Sequence, residues 1–193
     1  SVGHPHEESD LDVFIVIQGG RLWLSRLLVT ALLQVFGLRR HNRVIADQVC
    51  LSFYVTSGAM ALDAIKLDGD DVYLRYWILH LLPLFAHDGV LSVWWRANTW
   101  AHQAIHQAPM PVPLLRSPVL LSTSVIQRLL SGALGDWLEK RVRAWQRKRM
   151  EATATHHETS TAVVISDTML KFHENDRRAW YAAAWRERLT QIV

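Results

Sequence analysis

Residues 9–17, SDLDVFIVI, decide how the first part of the chain folds. Two aspartates open this stretch, an unbroken run of valine, phenylalanine and isoleucine follows them, and Gly19 and Gly20 come shortly after. Valine, isoleucine and phenylalanine favour extended backbone, and paired glycines end regular structure. We therefore predict a β-strand from Leu11 to Ile17 that is buried on both faces.

The next two segments place this strand in a larger unit. Residues Arg21–Phe36 are apolar apart from a narrow polar stripe near the helical period, which predicts a mostly buried helix ended by Gly37. A basic loop that contains Arg39 and Arg40 leads to residues Val49–Thr56, whose valine, phenylalanine and tyrosine content predicts a second strand. The order strand, helix, strand indicates an α/β unit built around a sheet.

From Asp71 onward the pattern is helical. We predict helices over Asp71–Phe85 and Asp88–Gln107, because each segment opens on an aspartate that suits a helix N-terminus. Prolines between residues 109 and 118 predict a stiff connector, and residues Ser122–Met150 predict a long amphipathic helix. Its apolar face, at three- and four-residue spacing, consists of Val125, Ile126, Leu129, Leu130, Ala133, Leu134, Trp137, Leu138, Val142 and Trp145.

The end of the chain returns to mixed structure. We predict a short strand over residues Ala162–Ser166 and a final helix from Asn175 to about Leu189. In that helix three aromatic residues are expected to be buried: Trp180, Tyr181 and Trp185. The predicted fold class is therefore α/β (α+β), with a small mixed sheet that carries an Asp-x-Asp strand in residues 1–68 and a mainly helical region in residues 69–193.

Composition limits the class of protein. The chain has 193 residues, of which 50% are hydrophobic and 20% charged, so it is globular rather than disordered. Its single cysteine, Cys50, excludes an internal disulfide and fits a reducing cytoplasm. The most apolar stretch, residues 72–85, is interrupted by charge and proline and is too short to span a membrane. We expect a cytoplasmic protein without a membrane segment, and an oligomer remains compatible with the sequence.

Asp10 and Asp12 are the strongest candidates for a site. Side chains alternate along a strand, so residues two apart point to the same side. Neighbouring carboxylates repel each other, and a hard cation between them turns that repulsion into attraction. The alternative is that Ser9 and Asp10 form a turn before the strand while Asp12 is merely exposed, and spacing alone leaves both interpretations open.

A family resemblance favours the metal interpretation. A glycine, a polar turn and the sequence Ser9-Asp10-Leu11-Asp12 ahead of Val13-Phe14-Ile15-Val16 resemble the signature of the nucleotidyltransferase superfamily related to DNA polymerase beta. A looser similarity to a bacterial, nucleotidyltransferase-like branch of that superfamily extends over Gly20-Arg21-Leu22-Trp23, Leu38-Arg39-Arg40 and Leu170-Lys171-Phe172-His173.

The resemblance implies a Mg²⁺-dependent enzyme in which Asp10 and Asp12 hold the metal and catalyse transfer of a nucleoside monophosphate from a nucleoside triphosphate such as ATP. It also implies that Gly3 approaches the phosphates and that Ser9 orients an aspartate or caps the strand. The acceptor stays open between a small molecule, a protein and an RNA end. The family places a third carboxylate on a neighbouring strand, and Asp47 is the nearest candidate for it, against a loop or capping role.

An inactive relative of such enzymes is the alternative. The Gly-Ser turn of the superfamily is not found ahead of Gly3, so we expect the nucleotidyltransferase-like core to be N-terminally incomplete. The second predicted strand carries no acid within it. A protein of this kind would keep the fold and bind a nucleotide or a partner protein without catalysis.

Two further sets of polar residues are candidates for binding a partner or lining a cleft. Residues 139–149 hold six basic residues and one acid, and a basic helix can bind RNA or a membrane surface. Because Val142 and Trp145 continue the apolar stripe, a core helix with a charged outer face is the favoured interpretation. The second group lies beside the last predicted strand, where it could line a cleft, and consists of Lys171, His173 and Asp176.

Overall fold

The computed structural model shows a mixed α+β protein with one four-stranded sheet and six α-helices among the residues that it describes. These residues are 10–39, 48–87, 89–103, 111–113, 128, 130–153, 161–173 and 176–192. The chain divides into two compact units, each built from two segments. Unit 1 comprises residues 1–59 and 119–173, and unit 2 comprises residues 60–118 and 174–193.

The sheet belongs to unit 1 and mixes parallel and antiparallel pairs. Its strands are β1 (Leu11–Ile17), β2 (Val49–Thr56), β3 (Val163–Ile165) and β4 (Met169–Phe172), in the spatial order β1-β2-β4-β3. Strands β1 and β2 pair in parallel, whereas β4 pairs antiparallel with both β2 and β3. The predicted strands at Leu11–Ile17 and Val49–Thr56 are confirmed, and the short strand near residue 163 is one residue shorter at each end.

Strand β4 is absent from the sequence prediction, and β1 differs from it in burial. We expected β1 to be buried on both faces, but Leu11 is 55% exposed and Asp12 is exposed as well. The reason is position, since among the described strands β1 lies at one end of the order and pairs only with β2. Central strands of parallel sheets carry continuous apolar runs, and here an edge strand carries one.

Helix α1 (Leu22–Val35) follows β1 and packs against the sheet through its first turn. Leu22 and Trp23 are fully buried, and they form the centre of the unit 1 core together with Tyr54 and Leu170. Gly37 ends the helix as predicted, because its φ of 65° lets the chain reverse while its N–H donates to Gln34 O. The prediction that α1 is mostly buried is wrong for its second half. The large apolar residues exposed there are Leu28, Leu32, Val35 and Phe36.

Helix α5 (Ala133–Thr153) packs against α1, and its buried face matches the predicted apolar stripe only in part. Val142 of that stripe packs against the core as expected. We expected Trp137 and Trp145 in its apolar stripe, but their side chains are 57% and 54% exposed. The buried side chains of α5 include Glu139 and Gln146, which contact the start of α1. Polar bonding to α1 therefore determines the rotation of α5 about its axis.

The predicted helix over Ser122–Met150 is also interrupted. Arg128 and Leu130 are helical, Ser131 and Gly132 form a turn, and α5 begins at Ala133. The interruption has two causes. Glycine has low helix propensity, and Arg21 Nε donates a hydrogen bond of 2.7 Å to the Leu130 carbonyl. The first part of the predicted helix, residues 122–127, lies outside the described residues.

Unit 2 is helical, as predicted. It contains a short 3-10 helix (Leu62–Ile65) and helices α2 (Val72–Leu79), α3 (Val90–Ala97), α4 (Thr99–His102) and α6 (Arg178–Ile192). Helix α2 ends six residues before the predicted end at Phe85, because Pro83 disfavours helical backbone in the residues ahead of it. The second predicted helix divides at Asn98, whose buried side chain accepts from Leu62 N and donates to the Met60 and Trp94 carbonyls.

Helix α6 confirms the predicted final helix but not its predicted burial. Trp180 is 64% exposed, and Tyr181 and Trp185 are exposed too. Tyr181 stacks on Tyr73 of α2 with ring centroids 5.0 Å apart. The buried anchor of α6 is instead Arg178, which binds Asp71 and Asp176. None of the helices in the described ranges is long and apolar enough to cross a membrane.

Candidate metal centre

Asp10 and Asp12 converge with Cys50 at the beginning of the two parallel strands. One carboxylate oxygen from each aspartate and the Cys50 sulfur all lie within 4.8 Å of one another. Asp12 lies in β1 and pairs with Cys50 of β2, and Asp10 directly precedes β1. The predicted proximity of the two aspartates is therefore present, and the cluster contains a thiol that the sequence analysis did not include.

Strand alternation explains why Asp12 lies on the face of the sheet opposite α1. Ile15 and Ile17 pack against the core around Trp23, on the side of the sheet that α1 covers. Since neighbouring side chains in a strand point to opposite faces, Asp12 and Phe14 point to the other side. The apolar half of β1 thus fixes the strand, and its first residues present the carboxylates.

An irregularity in the β1–β2 ladder lies directly beside the cluster. Asp12 pairs with Cys50, but Phe14 pairs with Phe53, so β2 uses one residue more than β1 over this step. Bulges redirect side chains and increase local twist, and they are rare in parallel pairs. Ser52 lies within this irregular step, and its side chain is buried.

Hydrogen bonds extend the cluster from Cys50 to a histidine. The Cys50 thiol interacts with both Asp12 and Ser52. The Ser52 hydroxyl in turn lies 3.2 Å from Nε2 of His173, and the His173 ring packs edge-on against Phe53 at 5.8 Å. A chain of polar groups therefore crosses the sheet from β1 to the end of β4, in the order Asp12, Cys50, Ser52 and His173.

The thiol of Cys50 is held in its neutral form. Burial raises the pKa of Cys50 above its ordinary value of 9.0; a hydrogen bond with Ser52 acts in the opposite direction, and the negative charges of Asp12 and Asp10 raise the pKa further. A metal would have to displace this proton in order to bind the sulfur. The two carboxylates are consequently the readier ligands of the three.

The donor set fits Mg²⁺ through its oxygens. Mg²⁺ prefers carboxylate and water ligands and commonly takes one or two carboxylates from a protein, which Asp10 and Asp12 provide. The sulfur of Cys50 is a soft ligand that suits zinc or another transition metal. Because Mg²⁺ prefers oxygen ligands, we expect Asp10 and Asp12 and not Cys50 to bind it.

Other residues named from the sequence fall into two groups. Gly3, Ser9 and Asp47 lie outside the described residues, so their predicted roles stay predictions. Lys171 and Asp176 are described, and each has a structural partner. The Lys171 ammonium donates to the carbonyls of residues 161 and 162 within unit 1, and Asp176 pairs with Arg178 within unit 2.

The sequence analysis missed the roles of Cys50 and Ser52 because these depend on strand register. Cys50 is noticeable in the sequence as the single cysteine, but only parallel pairing with β1 places it opposite Asp12. His173 was noted as a cleft candidate, and its contact with Ser52 requires β4, which was not predicted. The pattern Cys-x-Ser at the start of a predicted strand is the one local signal that was present.

Comparison with known proteins adds no assignment. No protein-family model matches the chain, and no curated protein or solved structure matches it.

Proposed function

We propose that this protein is a Mg²⁺-dependent nucleotidyltransferase that moves a nucleoside monophosphate from a nucleoside triphosphate to a small molecule, a protein or an RNA end and releases pyrophosphate. The observation that supports the proposal is the convergence of Asp10, Asp12 and Cys50 within 4.8 Å at the start of the sheet. The resemblance of residues 3–17 to the Asp-x-Asp signature supplies the reaction class.

In this proposal Asp10 and Asp12 hold the metal and position the triphosphate. Mg²⁺ bound there supplies positive charge for the phosphates and lowers the pKa of the attacking hydroxyl. The rigidity of β1 matters for this role, because reacting groups must be held within a fraction of an ångström of their productive geometry. Ile15 and Ile17, packed in the core, supply that rigidity.

The polar chain next to the carboxylates offers a route for a proton. Ser52 links the thiol of Cys50 to the imidazole of His173, and an imidazole accepts a proton near neutral pH. In this proposal His173 accepts the proton that the acceptor hydroxyl loses. His173→Ala should then lower the rate of transfer without removing metal binding.

A second candidate function is favoured by the identity of the third residue in the cluster. Cys50 carries a neutral thiol where a third carboxylate would strengthen a metal site. A relative that binds a nucleotide or a partner protein without turnover is consistent with that composition. The two candidates differ in whether label is transferred, and both require a folded β1–β2 pair.

The decisive experiment measures both the binding of nucleoside triphosphates and the transfer of their α-label to an acceptor. ATP, GTP, CTP and UTP are titrated by calorimetry in Mg²⁺ and again in EDTA, and each α-labelled triphosphate is then incubated with RNA, protein and small-molecule fractions of a bacterial extract. We expect Mg²⁺-dependent binding and incorporation of label, with a loss of at least about 100-fold in Asp10→Asn and in Asp12→Asn.

Asp68→Asn is the matched control, because Asp68 is an exposed aspartate of unit 2 and the substitution is chemically identical. Full incorporation of label in both site variants would refute the proposal. Mg²⁺-dependent heat without incorporation for any triphosphate would support the inactive, nucleotide-binding alternative instead.

A further inference from the structure

The outer face of α5 carries tryptophans and cations in alternation. Trp137, Arg141, Trp145 and Lys148 succeed one another at steps of three or four residues, and all four are exposed. Such spacing places side chains on one side of a helix. The two tryptophans are eight residues apart, which corresponds to about 12 Å along the helix axis.

This face is fixed outward by bonds on the opposite side of the helix. The Glu139 carboxylate accepts from the Trp23 and Leu24 backbone N–H groups at 2.9 and 2.8 Å. Seven residues, or about two turns, further on, Gln146 Nε2 donates to Trp23 O at 2.8 Å. Because both buried polar groups need these partners, α5 cannot rotate to bury Trp145 without leaving them unsatisfied.

Helix α5 carries more basic than acidic residues, and one of its cations, Arg143, is paired with Asp167. The helix contains six basic residues, namely Lys140, Arg141, Arg143, Arg147, Lys148 and Arg149. Its acids are fewer, and those with described side chains are engaged: Asp136 pairs with Arg21, and Glu139 faces α1. A polyanion is therefore the complementary partner for this face.

The arrangement of the aromatic residues distinguishes between polyanions. A helix that inserts into a lipid surface separates an apolar face from a charged one. On α5 two of the six cations, Arg141 and Lys148, share the strip with the tryptophans, and the Arg141 guanidinium lies over the Trp137 ring at 5.9 Å. Alternating aromatic rings and cations match a single strand, whose bases stack on the rings while its phosphates meet the cations.

We propose that the outer face of α5, defined by Trp137, Arg141, Trp145 and Lys148, binds single-stranded nucleic acid without sequence preference. Duplexes are disfavoured because their bases are already stacked on one another and offer no faces to the tryptophans. The surface is separate from the Asp10–Asp12 cluster, and this proposal holds whether or not the protein transfers nucleotides.

The test uses the full chain and fluorescein-labelled U20, with binding followed by fluorescence anisotropy. The double variant Trp137→Ala/Trp145→Ala should bind at least about tenfold more weakly, because each stacked base is lost with its ring. The double variant Arg141→Ala/Lys148→Ala should reduce the slope of log affinity against log salt by about 1.4, since each phosphate contact on a single strand contributes about 0.7.

Controls come from unit 2. Trp180→Ala removes an exposed tryptophan of α6, and Arg186→Ala removes an exposed cation there, so neither should change binding. Thermal unfolding of every variant checks that the fold is intact. If the tryptophan variant unfolds, the salt dependence of U20 binding by Arg141→Ala/Lys148→Ala still tests the proposal.

Three results would overturn the proposal. The first is unchanged U20 affinity in the folded tryptophan variant. The second is equal affinity for U20 and for a 20-base-pair duplex, which would show that phosphate charge alone is recognised. The third is binding to phosphatidylserine vesicles without binding to U20, which would identify a lipid surface as the partner.

Discussion

Two carboxylate sites in unit 1 show opposite uses of the same functional group. At the start of α1, Glu139 is buried and accepts hydrogen bonds from two backbone N–H groups that the helix itself leaves unpaired. At the start of β1, Asp12 is exposed and lies beside a second carboxylate, that of Asp10, and a thiol. Glu139 therefore stabilises the fold, whereas the β1 aspartates add mutual repulsion that a cation would relieve.

Asp71 in unit 2 resembles Glu139, because it too is a buried carboxylate that accepts hydrogen bonds from backbone N–H groups. Its side chain is fully buried, accepts from Leu74 N and Leu67 N, and binds Arg178 with an Nη1–Oδ2 distance of 3.2 Å. Structural acids in this protein are thus recognised by the donors around them. We therefore expect the loss of a buried, bonded acid to lower the free energy of unfolding far more than the loss of an exposed one.

The largest effect is expected for Asp71→Ala. The substitution removes the cap of α2 and leaves Arg178 with less compensation for its buried charge, which should lower the free energy of unfolding by about 4 kcal/mol. Urea denaturation followed by circular dichroism measures the change. Asp70→Ala is the neighbouring control, because Asp70 makes an exposed pair with Arg75 and should cost less than about 1 kcal/mol. Equal losses in the two variants would contradict the distinction.

Glu139→Ala should have the next largest effect. It leaves the N–H groups of Trp23 and Leu24 without their acceptor in a buried position, so we expect the free energy of unfolding to fall by about 3 kcal/mol. Glu139→Gln keeps one acceptor oxygen and should lose about half as much.

The same denaturation experiment on Asp136→Ala supplies the control on α5. Asp136 is an exposed residue whose bond to Arg21 lies near the helix start, and its loss should cost less than about 1 kcal/mol. A Glu139→Ala variant as stable as wild type would show that α1 does not depend on this carboxylate.

The difference between Asp71 and Glu139 also shows how far the sequence predicts the fold. Asp71 caps the helix that begins one residue later, and this local relation was predicted from spacing. Glu139 caps a helix that begins 117 positions earlier, at Leu22. No local pattern reveals a long-range cap, so the burial of Glu139 and Gln146 was not predicted, whereas Val142 of the predicted apolar stripe does pack against the core.

In the candidate site too, the features set by local spacing were predicted and those set by long-range strand pairing were not. The proximity of Asp10 and Asp12 follows from the two-residue period of a strand, and it was predicted. The positions of Cys50, Ser52 and His173 depend on the β1–β2 register, its irregular step and the unpredicted strand β4. Apolar runs predict that strands exist, but they do not determine which residues of two strands face each other.

Tyr54 provides a smaller, pH-dependent test of buried acids. Burial raises its pKa to about 12, and the positive charge of Arg26 acts in the opposite direction. The unfolded chain releases the phenolic proton near pH 10, so stability is complete below pH 10 and declines as the pH rises toward 12. The decline should reach up to about 2 kcal/mol. Urea denaturation between pH 9 and 12 measures it, and Tyr54→Phe should remove this part of the decline.

The smallest effect on stability is expected for the aspartates of β1, and it separates the two uses of a carboxylate most directly. Asp12→Asn keeps the shape of an exposed side chain and removes one of two neighbouring negative charges. In the metal-free protein the free energy of unfolding should therefore rise by less than about 0.5 kcal/mol. Urea denaturation in EDTA measures this change, and Asp10→Asn should behave alike. Adding Mg²⁺ should then stabilise wild type but neither variant, because only the wild-type pair binds the ion. A loss above about 1.5 kcal/mol in EDTA would place Asp12 with Glu139 as a structural acid.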